Sequence, residues 1–128
     1  MCIRDRSSGE ELKNMINLSL SINNKPCAIR YPRDLAHEYK NNDKFQKITI
    51  GKGKVIKNGK KIAFLNLGTR LKKVLEINEL IKKNYKFDCS IIDMRFAKPI
   101  DVKLIQKLTK NHDIFAVSYT HLRAHETQ

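Results

Sequence analysis

Several common signatures are absent from this 128-residue chain, and each absence excludes a class of protein. Its three cysteines lack the CxxC spacing of a metal or redox motif, so we expect neither a metal site nor a disulfide framework. No apolar stretch reaches the length of a membrane span, and the start of the chain lacks a signal-peptide pattern. A cytoplasmic protein is therefore the default expectation.

The usual motifs of nucleotide binding and catalysis are also missing. The chain contains no GxGxxG sequence and no P-loop lysine pattern, and it shows no paired catalytic carboxylates. His37 and His112 have no partner at the spacing of a metal site or a catalytic triad, so we interpret both as surface residues. Gly68-Thr69 stands between a predicted strand and a predicted helix, which favours a tight turn over an anion site.

The two ends of the chain can be translations of one DNA element read in opposite directions. Residues 1–5 can be encoded by ATG TGT ATA AGA GAC, and the reverse complement of that string encodes residues 117–121. The element resembles a transposase end sequence used in sequencing libraries. We therefore expect residues 1–6 and 117–128 to be artefactual tails, and residues 7–116 to be an internal piece of a longer protein.

Basic residues outnumber acidic ones. The chain has 26 Lys and Arg against 13 Asp and Glu, and the net charge is +13, or +12 without the tails. The 19 lysines are spread along the chain beside 11 asparagines, and both residue types have A/T-rich codons. Base composition of the genome explains this excess, so we expect no nucleic-acid and no membrane partner. A small basic nucleic-acid-binding module remains an alternative, which predicts a salt-dependent affinity for DNA or RNA.

The first part of the chain predicts a helix followed by a strand. Ser8 and Glu11 stand at capping-box spacing, and the helix that they begin is expected to end near Asn23. A strand through Ile29 follows. The apolar face of the helix is predicted to consist of Leu12, Met15, Ile16 and Leu20.

Further along, strands and helices alternate, which indicates an α/β fold with a partial parallel sheet and flanking helices. Asn58-Gly59 predicts a hairpin between two strands, and Asp101 introduces the second of two helices. The last strand is cut off by the tail, so the sheet is expected to expose an unpaired edge. The predicted strands are residues 48–50, 54–57, 62–67, 89–93 and 114–116, and the predicted helices contain Leu71, Val74, Leu75 and Ile81, then Leu104, Ile105 and Leu108.

Arg33 is the main candidate for binding a ligand. The apolar run of residues 27–31 predicts a buried strand that ends at Pro32, whose fixed φ aims Arg33 out of the strand's end. Ligands of open α/β sheets collect outside the carboxyl ends of strands, and a guanidinium matches phosphate oxygens in pairs. We interpret Arg33 as a ligand for an anionic substrate group, phosphate above all, with a surface salt bridge to Asp34 or Glu38 as the open alternative.

Five further residues are interpreted as structural. Arg30 alternates with apolar neighbours in its predicted strand and is expected to be a buried or interface partner. Asp93 and Arg95 follow another strand, where a nearby acid and base are expected to order a loop rather than bind a ligand. Cys27 and Cys89 sit in apolar runs and are interpreted as small core residues.

Four segments resemble the 1-deoxy-D-xylulose-5-phosphate synthase family in order and spacing. They are residues 29–33, 50–53, 63–69 and 93–101. The resemblance covers essentially all of residues 7–116. It implies that residues 7–36 end a transketolase-like pyrimidine-binding domain, that residues 37–46 form a linker, and that residues 47–116 form a truncated transketolase C-terminal domain.

The resemblance also implies a reaction. The family condenses pyruvate with glyceraldehyde 3-phosphate to 1-deoxy-D-xylulose 5-phosphate, with loss of CO2, for isoprenoid, thiamine and pyridoxal synthesis. The full-length enzyme is a homodimer that uses thiamine diphosphate and Mg2+. Arg33 matches the arginine that binds the phosphate of glyceraldehyde 3-phosphate, although Asp34 stands where the family usually has glycine.

The family's cofactor-binding and catalytic residues lie upstream of this segment. The resemblance therefore implies that the fragment holds no cofactor, contains no catalytic residue and is inactive by itself. Another transketolase-like enzyme, such as a dehydrogenase E1 β-type subunit, is the nearest alternative. The segment Tyr31-Pro32-Arg33 argues against that alternative.

Overall fold

The computed structural model describes residues 1–33, 35 and 45–119. Asp34, His37 and most of the expected linker at 37–46 lie outside the described residues, as do residues 120–128 of the expected tail. The elements in chain order are β1 (Cys2–Asp5), α1 (Gly9–Leu20), β2 (Cys27–Arg30), β3 (Lys54–Lys57), β4 (Lys61–Leu67), α2 (Leu71–Tyr85), β5 (Ser90–Asp93), β6 (Phe96–Lys98), α3 (Val102–Thr109) and β7 (His112–Tyr119).

The strands form two sheets. The larger has the order β3-β5-β4-β7, in which β4 runs parallel to both β5 and β7. β3 is antiparallel to β5 at one edge, so this sheet is mixed rather than purely parallel. The smaller has the order β2-β1-β6, with β1 parallel to β2 and antiparallel to β6. The predicted α/β class is confirmed.

The larger sheet packs its apolar side chains against α3. Asp101 caps this helix by accepting a hydrogen bond from the backbone nitrogen of Leu104 at 3.1 Å, as the predicted helix start requires. Leu104, Ile105 and Leu108 then contact the sheet. The buried members of this core are Ala63, Leu65, Ile92, Met94 and Leu108.

A second core joins α1 to the smaller sheet. Its buried members are Cys2, Met15, Ile48 and Phe96, which come from β1, α1, the segment before β3, and β6. β6 begins three residues after the end of β5 and pairs with β1, so a short turn leads from the larger sheet into the smaller one. Ile48 belongs to this core although residues 48–50 form no strand, which corrects the prediction for that segment.

Helix α1 begins where the sequence predicts and buries a different face. The Ser8 hydroxyl accepts a hydrogen bond from the backbone nitrogen of Glu11 at 3.2 Å, which confirms the cap. The helix ends at Leu20, before the predicted Asn23, and both Ile16 and Leu20 are exposed. The predicted apolar face is therefore wrong in part, because the inward face also carries the polar side chains of Glu11 and Asn14, which find partners in the larger sheet's loops.

The predicted hairpin at Asn58-Gly59 is wrong. β3 pairs with β5, and β5 lies between β3 and β4. All four residues of β5 are buried, as is typical of a strand inside a sheet. β5 therefore lies in the interior of the sheet, and β3 pairs with it rather than with β4, which follows β3 in the sequence. The turn after β3 is held instead by the start of β5 and the segment just before it: the Gly59 nitrogen donates to Ser90 Oγ at 2.9 Å, and the Lys60 nitrogen donates to the Asp88 carbonyl at 2.8 Å.

The two strands at the sheet edges, β2 and β7, differ from their predictions in burial and in length. β2 is half-buried rather than buried, because it lies at the edge of its sheet. β7 is the last strand of the larger sheet among the described residues, and it exposes Ile114 and Val117. It continues past the predicted end at residue 116 and stays in register with β4 through Tyr119.

We expect Gly59→Ala to destabilise the fold. A Cβ at this position would overlap the backbone of Asp88 and Cys89, and backbone atoms cannot rotate away as a side chain does. The free energy of unfolding should fall by about 2–3 kcal/mol, as for an overpacked core. Urea denaturation of the purified chain measures this change. Asn58→Ala in the same exposed turn is the matched control, and equal stability of both variants would contradict the prediction.

Candidate functional site

Arg33 lies just beyond the carboxyl end of β2. The strand ends at Arg30, two residues before Pro32, as the proline predicts. Arg33 is exposed, and it makes no hydrogen bond or ion pair with any residue in the described ranges. Its five donors are therefore available to an anion from solution. Asp34 and Glu38, the predicted alternative partners, lie outside those ranges.

Arg30, on the same strand, has the partner role that the sequence predicts. Its guanidinium donates two hydrogen bonds of 2.7 Å to the two carboxylate oxygens of Asp5, and it lies 5.8 Å from the ring centre of Tyr119. The Asp5 carboxylate raises the pKa of Arg30 above its already high ordinary value. Arg30 therefore ties β2 to β1 and β7, and both partners fall within the expected tails.

A buried ion pair joins α1 to the turn between β5 and β6. Arg95 Nε donates to Glu11 Oε2 at 2.9 Å, and its Nη2 donates to Glu11 Oε1 at 2.7 Å. Both side chains are about nine-tenths buried. This parallel arrangement is the strongest geometry available to an arginine and a carboxylate.

Asp93 stands beside this pair at the carboxyl end of β5. Ser7 Oγ donates to its Oδ2 at 2.5 Å, and the backbone nitrogen of Arg95 donates to its Oδ1 at 3.2 Å. Asp93 is 1% exposed, and this burial raises the pKa of its carboxyl to about 6. The negative charge of Glu11 contributes to this upward shift of the pKa, while the Ser7 hydroxyl and Arg95 oppose it. Asp93 thus orders the loop through the Arg95 backbone, whereas the Arg95 guanidinium binds Glu11 and not Asp93.

A small cavity of about 130 Å³ opens between α1 and the larger sheet. Its lining is mainly polar, with carboxylates from both sides of the junction. This arrangement can hold a proton or a few water molecules, and it offers no activated nucleophile. The lining residues are Ser7, Ser8, Glu10, Glu11, Gln46, Lys54, Ile56, Leu71 and Asp93.

Three other predictions can be compared with the structure. Gly68 has φ +92° and its carbonyl accepts from the Asn66 side chain at 2.9 Å, which supports the tight turn. Cys89 is fully buried, as predicted, while Cys27 is only half-buried against the smaller core. The surface prediction for His112 is wrong, because its Nδ1 lies 2.9 Å from the Leu108 carbonyl and its Nε2 2.8 Å from Ser90 Oγ.

The Glu11–Arg95 pair is the feature that sequence reasoning missed. The two residues lie 84 positions apart, so no local spacing connects them. Glu11 is recognisable as part of a capping box, but only its backbone nitrogen serves the cap. Glu11 lies on the same buried face of α1 as Met15. Because a glutamate is almost never buried without a partner, this position is the signal that could have indicated a distant basic residue.

Within residues 1–33, 35 and 45–119, no three His, Cys, Asp or Glu side chains come together in a way that suits a metal ion. None of the helices in those ranges is both long and apolar enough to cross a membrane.

Glu11→Ala should destabilise the chain strongly. The variant leaves the Arg95 guanidinium buried without its counter-charge, which costs about 3–5 kcal/mol of the free energy of unfolding. Glu10→Ala, one residue earlier on α1, is the control and should cost less than about 1 kcal/mol, the contribution of its charge near the helix N-terminus. Urea denaturation of both variants at pH 7 tests the difference. Similar losses in the two would show that the ion pair contributes nothing specific.

Comparison with known proteins places this fold. A family model described as "Transketolase, C-terminal domain" matches residues 51–124, more than half of the chain. Among solved structures, one titled "Split gene transketolase, inactive beta4 tetramer" superposes with a TM-score of 0.84 at 22% identity. The match covers 94% of this chain and 39% of that one. At this identity the likeness shows the fold alone.

Curated relatives named 1-deoxy-D-xylulose-5-phosphate synthase are more similar in sequence. The protein of Shewanella denitrificans is 39% identical over 104 residues, which are 81% of this chain and 16% of the relative. That of Shewanella woodyi is 37% identical over 114 residues, 89% of this chain and 17% of the relative. The chain thus spans about one sixth of the length of these relatives, and the resemblance stated from its four segments is confirmed. It belongs to the transketolase C-terminal domain family, with 1-deoxy-D-xylulose-5-phosphate synthases among its relatives.

Proposed function

We propose that this chain is a part of a 1-deoxy-D-xylulose-5-phosphate synthase, the enzyme that condenses pyruvate with glyceraldehyde 3-phosphate and releases CO2. The observation that carries the proposal is the 37–39% identity to enzymes of that name over 81–89% of this chain. The product feeds isoprenoid, thiamine and pyridoxal synthesis. We propose also that the fragment is inactive by itself, because the catalytic residues of the family lie upstream of the segment that this chain matches.

Arg33 is the residue that binds substrate in this proposal. Its guanidinium is exposed beyond the carboxyl end of β2, where ligands of α/β sheets collect. Two parallel hydrogen bonds to a phosphate would fix the phosphorylated end of glyceraldehyde 3-phosphate. A charge-assisted hydrogen bond contributes about 1.5–3 kcal/mol, which sets affinity and orientation but does not perform a reaction.

The remaining parts of the enzyme lie outside this chain. Thiamine diphosphate with Mg2+, bound elsewhere in the enzyme, would supply the carbanion chemistry of the condensation. The family's residues for both groups lie upstream of the matching segment, so the proposal assigns the described residues no role in holding them. We propose further that the full-length enzyme is a cytoplasmic homodimer whose other segments hold the cofactor.

The proposed domain boundaries follow the resemblance, with residues 7–36, 37–46 and 47–116 as domain end, linker and truncated C-terminal domain. Residues 1–6 and 117–128 are proposed to be adapter-derived. The side chains at β1 support this origin. β1 is the middle strand of its sheet, yet Arg4 within it and Arg6 just after it are buried, and the Nε of each has no partner among the described residues. Strands buried on both faces are normally apolar. Genomic DNA that codes without interruption through both ends would contradict this origin.

Arg33→Ala should raise KM for glyceraldehyde 3-phosphate in an enzyme completed with the missing segments of a close relative. The expected increase is about 10- to 150-fold, equivalent to the loss of 1.5–3 kcal/mol of phosphate binding, whereas KM for pyruvate should stay within about twofold. Steady-state kinetics with each substrate varied in turn measure both constants.

Two comparisons make this test specific. Arg33→Lys keeps the charge without the planar fork, so it should recover only part of the lost affinity. Arg70→Ala removes another exposed arginine, at the start of α2, and should leave both KM values unchanged. An unchanged KM for glyceraldehyde 3-phosphate in Arg33→Ala would remove Arg33 from the substrate site.

A further inference from the structure

We propose that the junction between α1 and the larger sheet is a proton-sensitive contact, closed when Asp93 carries a proton and loosened when Asp93 ionises. The contact is built from Ser7 and Glu11 on one side and Asp93 and Arg95 on the other. It is independent of the proposed reaction, because none of these residues lies at the proposed phosphate site. The proposal concerns how firmly α1 is held.

The geometry places two carboxylates beside one cation. The Arg95 guanidinium donates hydrogen bonds to both carboxylate oxygens of Glu11. Among the described residues, the Asp93 carboxylate therefore accepts hydrogen bonds only from the backbone nitrogen of Arg95 and the hydroxyl of Ser7. With both acids ionised, this buried group carries a net charge of −1. A proton on Asp93 makes it neutral, which a buried site favours strongly.

The other elements around Asp93 add no second counter-ion. In the sheet, Asp93 stands in register between Lys54 of β3 and Asn66 of β4. Asn66 is neutral, and Lys54 is exposed and forms no ion pair with Asp93 in the described structure. Glu10 lines the same cavity from α1 and carries a further negative charge. The charged and titratable groups that face the site are thus Glu10, Glu11, Lys54 and Arg95.

The sign of the effect follows from the two protonation states. Burial raises the pKa of Asp93 from 3.8 to about 6 in the closed junction, while an Asp93 freed into water regains the lower value. The closed form therefore binds the proton more tightly, and its stability is complete below pH 3.8 and declines as pH rises towards 6. Between pH 5 and pH 7, the opening equilibrium of the junction should increase by about tenfold.

Hydrogen exchange of the α1 backbone amides in the 128-residue chain tests this. After correction for the intrinsic exchange rate, the protection of α1 should fall about tenfold between pH 5 and pH 7. Asp93→Asn is the key variant, because the amide can accept from Arg95 and donate to Ser7 without a charge. Its α1 protection should be independent of pH in this range. The two proteins differ only at residue 93, so the difference between their pH dependences isolates Asp93.

A second measurement uses the wild-type chain and so tests the proposal even where the Asp93→Asn variant does not fold. The side-chain carboxyl carbon of Asp93, labelled with 13C, should titrate with a midpoint of about 6, and the α1 amide shifts should follow the same midpoint. Ser7→Ala removes a donor to the carboxylate and should move the midpoint upward. A midpoint near 3.8, or equal pH dependence of α1 protection in wild type and Asp93→Asn, would overturn the proposal.

Discussion

The bidentate ion pair between Glu11 and Arg95 fixes how the first helix meets the larger sheet. A buried pair of this kind adds little net stability over an apolar contact of the same shape, but it is costly to break. Its contribution is therefore geometric, since one orientation of α1 satisfies all the charges and others leave a buried guanidinium unpaired. Arg95 also has a φ of +60°, a value that residues other than glycine rarely adopt. The contacts around the turn that contains Arg95 therefore hold it in this conformation.

The same turn positions the smaller sheet through backbone bonds. The Arg95 carbonyl accepts a hydrogen bond from the Asp5 nitrogen at 2.8 Å, and β6, which follows at once, pairs with β1. Backbone bonds do not depend on side-chain identity, so β1 pairs on both of its sides although it contains charged residues. Its pairing with β6 shifts register between Ile3 and Arg4. Arg4 and Arg6 are both buried, and the Nε of each has no partner among the described residues.

Local signals in the sequence predict local structure well here. The caps at Ser8 and Asp101 and the alternation of strands and helices are all present, because each rests on contacts within a few residues. The pairing of β3 was not predictable from Asn58-Gly59, since the turn residues do not reveal that β5 will enter between the flanking strands. The surface prediction for His112 was wrong for the same reason, because its partner Ser90 lies 22 positions away in the sequence. Side chains that act over long sequence distances need the fold before they can be interpreted.

Arg30 and Arg33 show how an arginine of the fold differs from an arginine available to a ligand. Three residues apart, one has a bidentate partner in Asp5, and the other is exposed without a partner in the described ranges. Replacing Arg30 would remove its bidentate ion pair with the buried Asp5 carboxylate, so a loss of activity there would be confounded with a loss of stability. Arg33 adds no described contact to the fold. A change in substrate affinity on its replacement therefore reports on binding itself.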